Sequence, residues 1–261
     1  MRVCALLVAL VLALGGSAHA VPVTFQQGVG GYTGSQSLRM RDNAINGKAG
    51  ADLYVGDAGN DADNRSLLRF DLSSLAGQFA SGDGTIRLTL TGDIAGSPGI
   101  DDFFDVYVVD PNNTGWSRTK SSWNRLDQDT NVLWKDSAGL DLPVATADVS
   151  DPILGGLGIP GEGYGAAPIH SINQASYSAG GAVNVTIPES VLQDWMDGTN
   201  AGLLFRARDQ SNFGRVQFSS PLNNPVANRP LLTLNVVPEP ATIVLAGIGL
   251  VGLLRRRRQA I

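Results

Sequence analysis

Cysteine is nearly absent from this chain of 261 residues: Cys4 is its only cysteine and lies in a short apolar stretch near the N-terminus. The rest of the chain therefore has no thiol, which excludes disulfide bonds, thiolate metal ligands and cysteine nucleophiles there. We expect the folded part to be stabilised by packing or by a bound ion rather than by covalent cross-links.

Histidine is also scarce, with two in the chain. Beyond His19 only His170 remains, and no Gly-x-Ser-x-Gly motif accompanies it, so a serine–histidine–acid system is not indicated. We interpret His170 as a solvated loop residue. Paired carboxylates for glycoside hydrolysis are neither indicated nor excluded, because aspartate is abundant along the chain. These observations favour a protein that is not an enzyme.

Positive charge is scarce in the body of the chain. Without Arg2 and Arg255–Arg258 the 19 basic residues fall to 14, and without Glu239 the 24 acidic residues fall to 23, which leaves a net charge of about −9. Non-specific binding to nucleic acid needs clustered positive charge. We therefore expect no nucleic-acid partner.

Hydrophobic runs occur at both ends of the chain. At the N-terminus, Arg2 precedes the apolar stretch Val3–Leu14, and Ala18 and Ala20 supply the small residues of a small-x-small cleavage site. This order predicts a signal peptide over residues 1–20 that is cut after Ala20, and hence export through the inner membrane.

At the C-terminus, Pro238, Glu239 and Pro240 precede a run of 14 apolar residues, 241–254. Four basic residues follow: Arg255, Arg256, Arg257 and Arg258. The run would make about 21 Å of helix against about 30 Å of hydrocarbon, so flanking residues must help it to span a membrane. Basic residues after the run favour a cytoplasmic C-terminus. We predict a transmembrane helix at 241–254.

This tail, residues 237–261, resembles a PEP-CTERM sorting signal in its Pro-Glu-Pro segment, its apolar run and its arginine cluster. The resemblance implies processing by an exosortase-type membrane peptidase, and delivery of the body to the cell surface or an extracellular matrix. A simple C-terminal anchor that is never cut is the alternative.

Between the two ends, short segments alternate between apolar and polar residues and are separated by turn residues, among them many of the 32 glycines. In one such segment Leu68, Phe70 and Leu72 alternate with Arg69 and Asp71. This period is typical of antiparallel strands. We predict an all-β domain over residues 21–236, an antiparallel β-sandwich of jelly-roll type with one short helix at 189–196 and a long loop insertion at 136–179.

Several segments of the body resemble the DNRLRE family of extracellular β-sandwich domains. The segments are residues 63–75, 85–90, 193–198, 218–220 and 229–234, together with the Trp116 and Trp123 pair. Some members of that family are carbohydrate-binding modules for acidic polysaccharide such as alginate, and others are stand-alone surface proteins of unknown role. The resemblance therefore implies the fold and an extracellular location more firmly than it implies a ligand.

Arginine occupies outward positions of several predicted strands: Arg69, Arg87, Arg206, Arg208 and Arg215. If these strands share a sheet, the acidic body carries a basic face, and guanidinium forks bind carboxylates bidentately. Such a face would suit a polymer of uronic acids. The alternative is a ladder of cross-strand ion pairs with acids such as Asp71 and Asp209.

Tryptophan and aspartate supply two further sets of candidates. Trp116, Trp123 and Trp134 would form either a sugar-stacking platform or part of the core. Six aspartates in two loops would form either a structural calcium site, through their oxygens, or ordinary solvated turns. They are Asp57, Asp61 and Asp63 in one loop, and Asp101, Asp102 and Asp105 in the other. We expect no cofactor besides such a calcium ion.

Three functional hypotheses follow. The first is an exported, surface-sorted, non-catalytic protein that binds or organises acidic extracellular polysaccharide in a biofilm or matrix. The second is a structural matrix protein that makes protein contacts and binds no sugar. The third, which the sequence favours least, is a polysaccharide-degrading enzyme.

Overall fold

The computed structural model of the protein describes residues 19–41, 53–57, 63–95, 103–122, 125–142, 167–173, 180–208 and 215–238. Within these ranges lie fourteen strands and one α-helix. The strands are β1 (Val21–Gln26), β2 (Ser35–Arg41), β3 (Leu53–Asp57), β4 (Asp63–Phe70), β5 (Phe79–Ala80), β6 (Gly84–Ala95), β7 (Phe103–Val108), β8 (Arg125–Asp127), β9 (Val132–Leu133), β10 (His170–Asn173), β11 (Ala182–Ile187), β12 (Leu203–Ala207), β13 (Arg215–Phe218) and β14 (Leu231–Val237).

The helix, α1 (Glu189–Asp194), continues into a π-helical turn at Trp195–Thr199. Short 3-10 turns lie at Ser73–Leu75, Pro111–Asn113 and Val226–Asn228. The helix follows Pro188, which ends β11 and supplies no side-chain cap. The short helix predicted at 189–196 is therefore present, and its last two residues belong to the π-helical turn.

Twelve of the strands form one curled antiparallel sheet that folds into two layers. The path runs β1-β14-β6-β13-β3-β4-β12-β7-β10, with β11 added to β6, β2 to β4 and β5 to β14. One layer is β1, β14, β6 and β11, the other is β2, β4, β12, β7 and β10, and β13 with β3 connects them. The described residues thus confirm the all-β class, while the jelly-roll subtype stays a prediction.

Alternating residues from the two layers meet in a single inner core. In β6, Ile86 and Leu88 point inward and are fully buried, and the same holds for Leu68 and Phe70 in β4. Burying a large aliphatic or aromatic side chain contributes roughly 1.5–3 kcal/mol relative to leaving it exposed. The period-2 alternation read from the sequence is therefore the pattern that builds this core.

A second apolar cluster covers the outer face of the β2-β4-β12-β7-β10 layer. Leu67 and Leu204 point outward from β4 and β12, and they pack with Trp116 and Trp134 of the 110–142 segment. Strands β4, β7 and β12 are consequently buried on both faces. That double burial accounts for consecutive apolar residues such as Leu67-Leu68 and Leu203-Leu204-Phe205, which a half-exposed strand would not need.

Two predicted boundaries differ from the structure. The interval 136–179, predicted as a loop insertion, contains β10, which pairs with β7 over four residues. It was missed because four residues with one buried apolar side chain carry too little periodicity. The strand predicted to reach Leu72 ends at Phe70, because the Ser73 backbone N–H donates to Asp71 Oδ1 at 2.9 Å and starts a turn.

No helix in the described ranges is long and apolar enough to cross a membrane. Residues 1–18 of the predicted signal peptide, which we expected to be helical, and the predicted transmembrane helix at 241–254 lie outside the described residues.

Candidate functional site

The predicted basic face is divided between the two layers. Arg69 in β4 lies on the outer face of the second layer together with Arg206 and Arg208 at the end of β12, because their inward neighbours fill the inner core. Arg87 lies in β6, in the first layer, opposite Asn184 and Leu231. For Arg215 only the backbone, in β13, is described. Three of the five predicted arginines therefore share one sheet face.

Arg208 is committed to a buried acid on this face. Its Nε donates to Asp105 Oδ2 at 3.0 Å, and its Nη2 donates to Asp105 Oδ1 at 2.7 Å. The Ser171 hydroxyl, on β10, also donates to Asp105 Oδ1, at 2.6 Å. These bonds raise the pKa of the Arg208 guanidinium. The Asp105 side chain is 4% exposed, and its carboxylate is already bonded to Arg208 and Ser171. Asp105 therefore forms an ion pair that links β12, β7 and β10.

Arg69 is anchored rather than free. Its Nη1 donates to the Thr114 carbonyl, its Nη2 donates to the Trp116 carbonyl at 3.2 Å and to Gln36 Oε1 at 3.4 Å, and its guanidinium lies 4.7 Å from the centre of the Trp116 ring. Burial lowers the pKa of Arg69, and the nearby Asp71 carboxylate opposes that shift. Arg69 thus fastens the 110–142 segment to the sheet.

The remaining arginines on the two outer faces are half-buried. Arg87 donates from Nη2 to the Ala227 carbonyl at 2.9 Å. Arg206 lies directly opposite Asp105 in the pairing of β12 with β7. Arg206 therefore fits the cross-strand alternative, whereas Arg87 has no acid directly opposite it in either pairing.

Two of the three predicted tryptophans, Trp116 and Trp134, belong to the second cluster. Trp116 is 1% exposed and its indole N–H donates to the Ala201 carbonyl at 2.6 Å, while Trp134 is 0% exposed and donates to the Ser122 carbonyl at 2.9 Å. These contacts favour packing over a sugar-stacking platform. Trp123 lies outside the described residues.

The predicted calcium ligands are only partly described. Asp57 and Asp63 face each other in the β3–β4 pairing, with their side chains undescribed, and Asp61, Asp101 and Asp102 lie outside the described residues. The described part of the chain contains no group of three or more residues arranged to hold a metal ion. His170, expected in a loop, lies in β10, where burial lowers the pKa of its imidazole.

A cleft of about 330 Å³ that the sequence did not indicate lies beside β2, and we name it the Arg118 cleft. Of the described residues that line it, Arg118 is the only charged one. The others are mostly hydroxyl and amide side chains: Gln27, Thr33, Ser35, Gln36, Ser37, Ser117, Thr119, Pro221 and Leu222. Within the described ranges, no hydrogen bond or ion pair engages the Arg118 guanidinium. Its fork of donors is therefore available to a ligand.

The walls of the Arg118 cleft are held in place by local hydrogen bonds. The Ser121 backbone N–H donates to the Ser117 carbonyl at 2.9 Å, and the Ser117 N–H donates to Ser121 Oγ at 2.9 Å, which closes the turn that carries Arg118. On the opposite wall, Gln27 Oε1 accepts from the Ser35 N–H and hydroxyl, each at 3.1 Å. The cleft is thus lined by positioned polar groups.

A second cleft, of about 440 Å³, adjoins the first through Gln36, and we name it the Asp71 cleft. Its charged lining residues are Arg69, Asp71 and Asp197. The Ser73 backbone N–H and hydroxyl donate to the Asp71 carboxylate and, with help from Arg69, hold the pKa of Asp71 below its usual value. Asp71 is therefore ionised at neutral pH.

Sequence reasoning found Arg69 and missed Arg118, Gln36 and Asp197 as lining residues. Arg118 lies in an irregular segment, where no alternation distinguishes a side chain that points into a cleft from one that points to solvent. The only available signal was the hydroxyl-rich stretch Ser117–Ser122 around it.

The acidic β-sandwich is followed directly by the tail that carries the Pro-Glu-Pro segment, the apolar run and the arginine cluster. Residues 236–258 match the model of the PEP-CTERM protein-sorting motif, which confirms the resemblance seen in the tail. The motif indicates an exported protein that an exosortase processes and that resides at the cell surface or outside the cell. A comparison with curated proteins finds no match for the chain.

Proposed function

We propose that this exported protein is a non-catalytic surface protein whose β-sandwich binds acidic extracellular polysaccharide at the Arg118 cleft. The observation that carries the proposal is an unengaged guanidinium in a cleft where the other described lining residues are uncharged. A guanidinium fork pairs with the carboxylate of a uronic acid through two parallel hydrogen bonds. The surrounding hydroxyls and amides supply both donors and acceptors for sugar hydroxyls.

The wider setting supports this proposal. The sorting motif delivers the protein to the place where extracellular polysaccharide is found. The sequence resemblance to DNRLRE-type domains adds the same ligand class as an expectation. The proposal includes transient or permanent anchoring through residues 241–254 and a structural calcium ion near Asp57, Asp61 and Asp63.

The arginines predicted from strand alternation take a different role in this proposal. Arg69 and Arg208 are engaged with protein groups and neither lines the Arg118 cleft, so we assign them to holding the outer face in shape. A polymer carboxylate would have to displace those contacts to reach them. Arg118 needs no such displacement.

The test compares retention of the purified protein and its Arg118→Ala variant on immobilised uronate polymers and on neutral polymers, with and without calcium. Removing a bidentate charged contact should weaken uronate binding about tenfold, which corresponds to about 1.4 kcal/mol. Arg118→Lys should restore only part of the loss, because an ammonium group cannot form the fork. Retention on neutral polymers should not change.

The matched control is Lys120→Ala. Lys120 lies in the same turn as Arg118, and its substitution also removes one positive charge. Unlike Arg118, it forms an ion pair, with Nζ 3.4 Å from Asp127 Oδ2, and it does not line the cleft. Equal losses from both variants would mean that overall charge, and not the cleft, governs retention. No retention of the wild-type protein on any polymer would favour the structural matrix alternative.

A further inference from the structure

The two adjoining clefts have opposite electrostatic character. The charged side chain described in the Arg118 cleft is a cation, whereas the Asp71 cleft combines one cation with two carboxylates. Gln36, on β2, lines both. A chain-like ligand that lies across Gln36 therefore meets two different environments within one groove.

The cation of the Asp71 cleft cannot neutralise both carboxylates. Arg69 already donates to Thr114, Trp116 and Gln36 oxygens. Asp71 Oδ1 accepts a hydrogen bond from the Ser73 backbone N–H at 2.9 Å, and Asp197 Oδ1 accepts one from Gln193 Nε2 at 3.1 Å. Both carboxylates are acceptors with unused lone pairs, since each carboxylate offers about four acceptor sites.

Two buried polar atoms in residues that line the Asp71 cleft have no hydrogen-bond partner in the described part of the chain. They are the indole Nε1 of Trp195, a residue 3% exposed, and the Oδ1 of Asn200. An unpaired buried donor or acceptor is costly, on the order of 1–3 kcal/mol. Both atoms are closed to solvent, so a ligand in the cleft does not reach them. A sugar hydroxyl can instead donate to the Asp71 and Asp197 carboxylates, whereas a uronate carboxylate only accepts.

A second uronate residue in the Asp71 cleft would face repulsion. Two like charges about 4 Å apart repel by about 1 kcal/mol in bulk water and about 4 kcal/mol at the effective dielectric of a protein surface. An uncharged sugar residue meets no such penalty and hydrogen-bonds to the carboxylates through its hydroxyls. Charge therefore favours an uncharged sugar over a uronate in the Asp71 cleft.

We infer that the ligand is a heteropolysaccharide in which acidic and uncharged sugar residues alternate, with the acidic residue in the Arg118 cleft and the uncharged one in the Asp71 cleft. This inference rests on the proposed function and narrows its ligand class. A homopolymer of uronic acid would place a carboxylate against Asp71 and Asp197 and would bind more weakly.

The experiment measures affinity of the full-length protein for two probes of similar length: hyaluronan fragments, which alternate glucuronate with N-acetylglucosamine, and polygalacturonate fragments. The wild-type protein should prefer the alternating polymer by about tenfold. The double variant Asp71→Asn/Asp197→Asn should raise affinity for polygalacturonate about tenfold and should not raise affinity for hyaluronan, because an amide makes weaker hydrogen bonds to sugar hydroxyls than a carboxylate does. Asparagine keeps the acceptor that the Ser73 N–H uses.

Asp194→Asn is the matched control, because Asp194 is exposed, lies three residues before Asp197 and lines neither cleft. It should leave both affinities unchanged. Circular dichroism checks the fold of each variant, and Asp197→Asn alone replaces the double variant if the latter does not fold.

The outcomes distinguish failure of this inference from failure of the proposed function. Arg118-dependent binding of both polymers without preference, unchanged by the aspartate variants, would overturn the inference and leave the proposed function standing. A preference for polygalacturonate in the wild-type protein would also overturn it. If the wild-type protein binds neither polymer, the proposed function fails, and the inference fails with it.

Discussion

At the scale of single residues, the burial of Trp116 and Trp134 favours core packing over a sugar-stacking platform. Trp116 and Trp134 each bury an indole and each donate to one carbonyl, of Ala201 and Ser122 respectively. The difference between them is that Trp116 also lies under Arg69, which lines the Asp71 cleft. They therefore form a matched pair for separating stability from ligand binding.

We predict that Trp116→Phe and Trp134→Phe each lower the free energy of unfolding by roughly 1–3 kcal/mol, because each leaves a buried carbonyl without its donor. Urea denaturation measures that loss. Neither variant should change polysaccharide retention under conditions where it remains folded. A loss of retention in Trp116→Phe alone, with the stability of the two variants equal, would restore the sugar-stacking interpretation of Trp116.

Single residues also show what a sequence reveals and what it does not. The alternation around Arg69 and Arg206 predicted correctly that these side chains point away from the inner core, because direction follows from the pleat of a strand. The partners of these arginines were not predictable. Arg208 meets Asp105 and Ser171 only because β12, β7 and β10 are neighbours, and those three strands are far apart along the chain.

At the scale of elements, the ion pair of Asp105 with Arg208 ties three strands together, and its two ends differ in exposure. The side chain of Arg208 is 50% exposed, whereas that of Asp105 is 4% exposed. Losing the arginine leaves a buried charge, while losing the acid leaves a cation that can turn toward water. Breaking a buried pair by removing one partner is strongly destabilising when the remaining charge stays buried.

We therefore predict that Arg208→Ala lowers the free energy of unfolding by about 3 kcal/mol and Asp105→Asn by about 1 kcal/mol, since asparagine keeps a partner for Ser171. The double variant should cost less than the sum of the two, because the variants share one interaction. Chemical denaturation of the three variants gives the comparison. Equal costs for the two single variants would contradict the prediction, because leaving the carboxylate unpaired would then cost no more than leaving the guanidinium unpaired.

Long strands were easier to predict from the sequence than short strands. Strand β4 was found from alternation, and its predicted inward residues Leu68 and Phe70 lie in the inner core. Strands β5, β8 and β9 have two or three residues, too few to show a period. The second apolar cluster was not foreseen, because the 110–142 segment covers the sheet with side chains that follow no regular spacing.

At the scale of the whole molecule, the first strand of the β-sandwich pairs with the last one. Val21, which would be the first residue after signal cleavage, lies opposite Val236 in the β1–β14 pairing, and Val236 is also the first residue of the matched sorting motif. The folded body therefore reaches the sorting motif without an intervening linker. The residue that follows the expected signal cleavage and the first residue of the sorting motif therefore lie at the same end of the β1–β14 pair.

The overall charge of the molecule gives the last prediction. The body carries about −9, so it repels a polyanionic polysaccharide at long range, while Arg118 attracts the polymer's carboxylate at contact. The screening length is about 30 Å at 0.01 M salt, about 10 Å at 0.1 M and about 3 Å at 1 M. Moderate salt should therefore suppress the repulsion from distant carboxylates before it weakens the direct contact. We predict that retention on a uronate polymer rises from 0.01 M salt to a maximum at roughly 0.1–0.2 M and then falls.

A retention series over this range, with Arg118→Ala as the control, checks that prediction. The variant keeps the repulsion and loses the contact, so it should show weak retention and no maximum. A steady decrease from the lowest salt in the wild-type protein would instead mean that a locally positive surface dominates the approach of the polymer. In that case the outer-face arginines Arg69, Arg206 and Arg208 would again become candidates for the primary contact, because they lie on one sheet face.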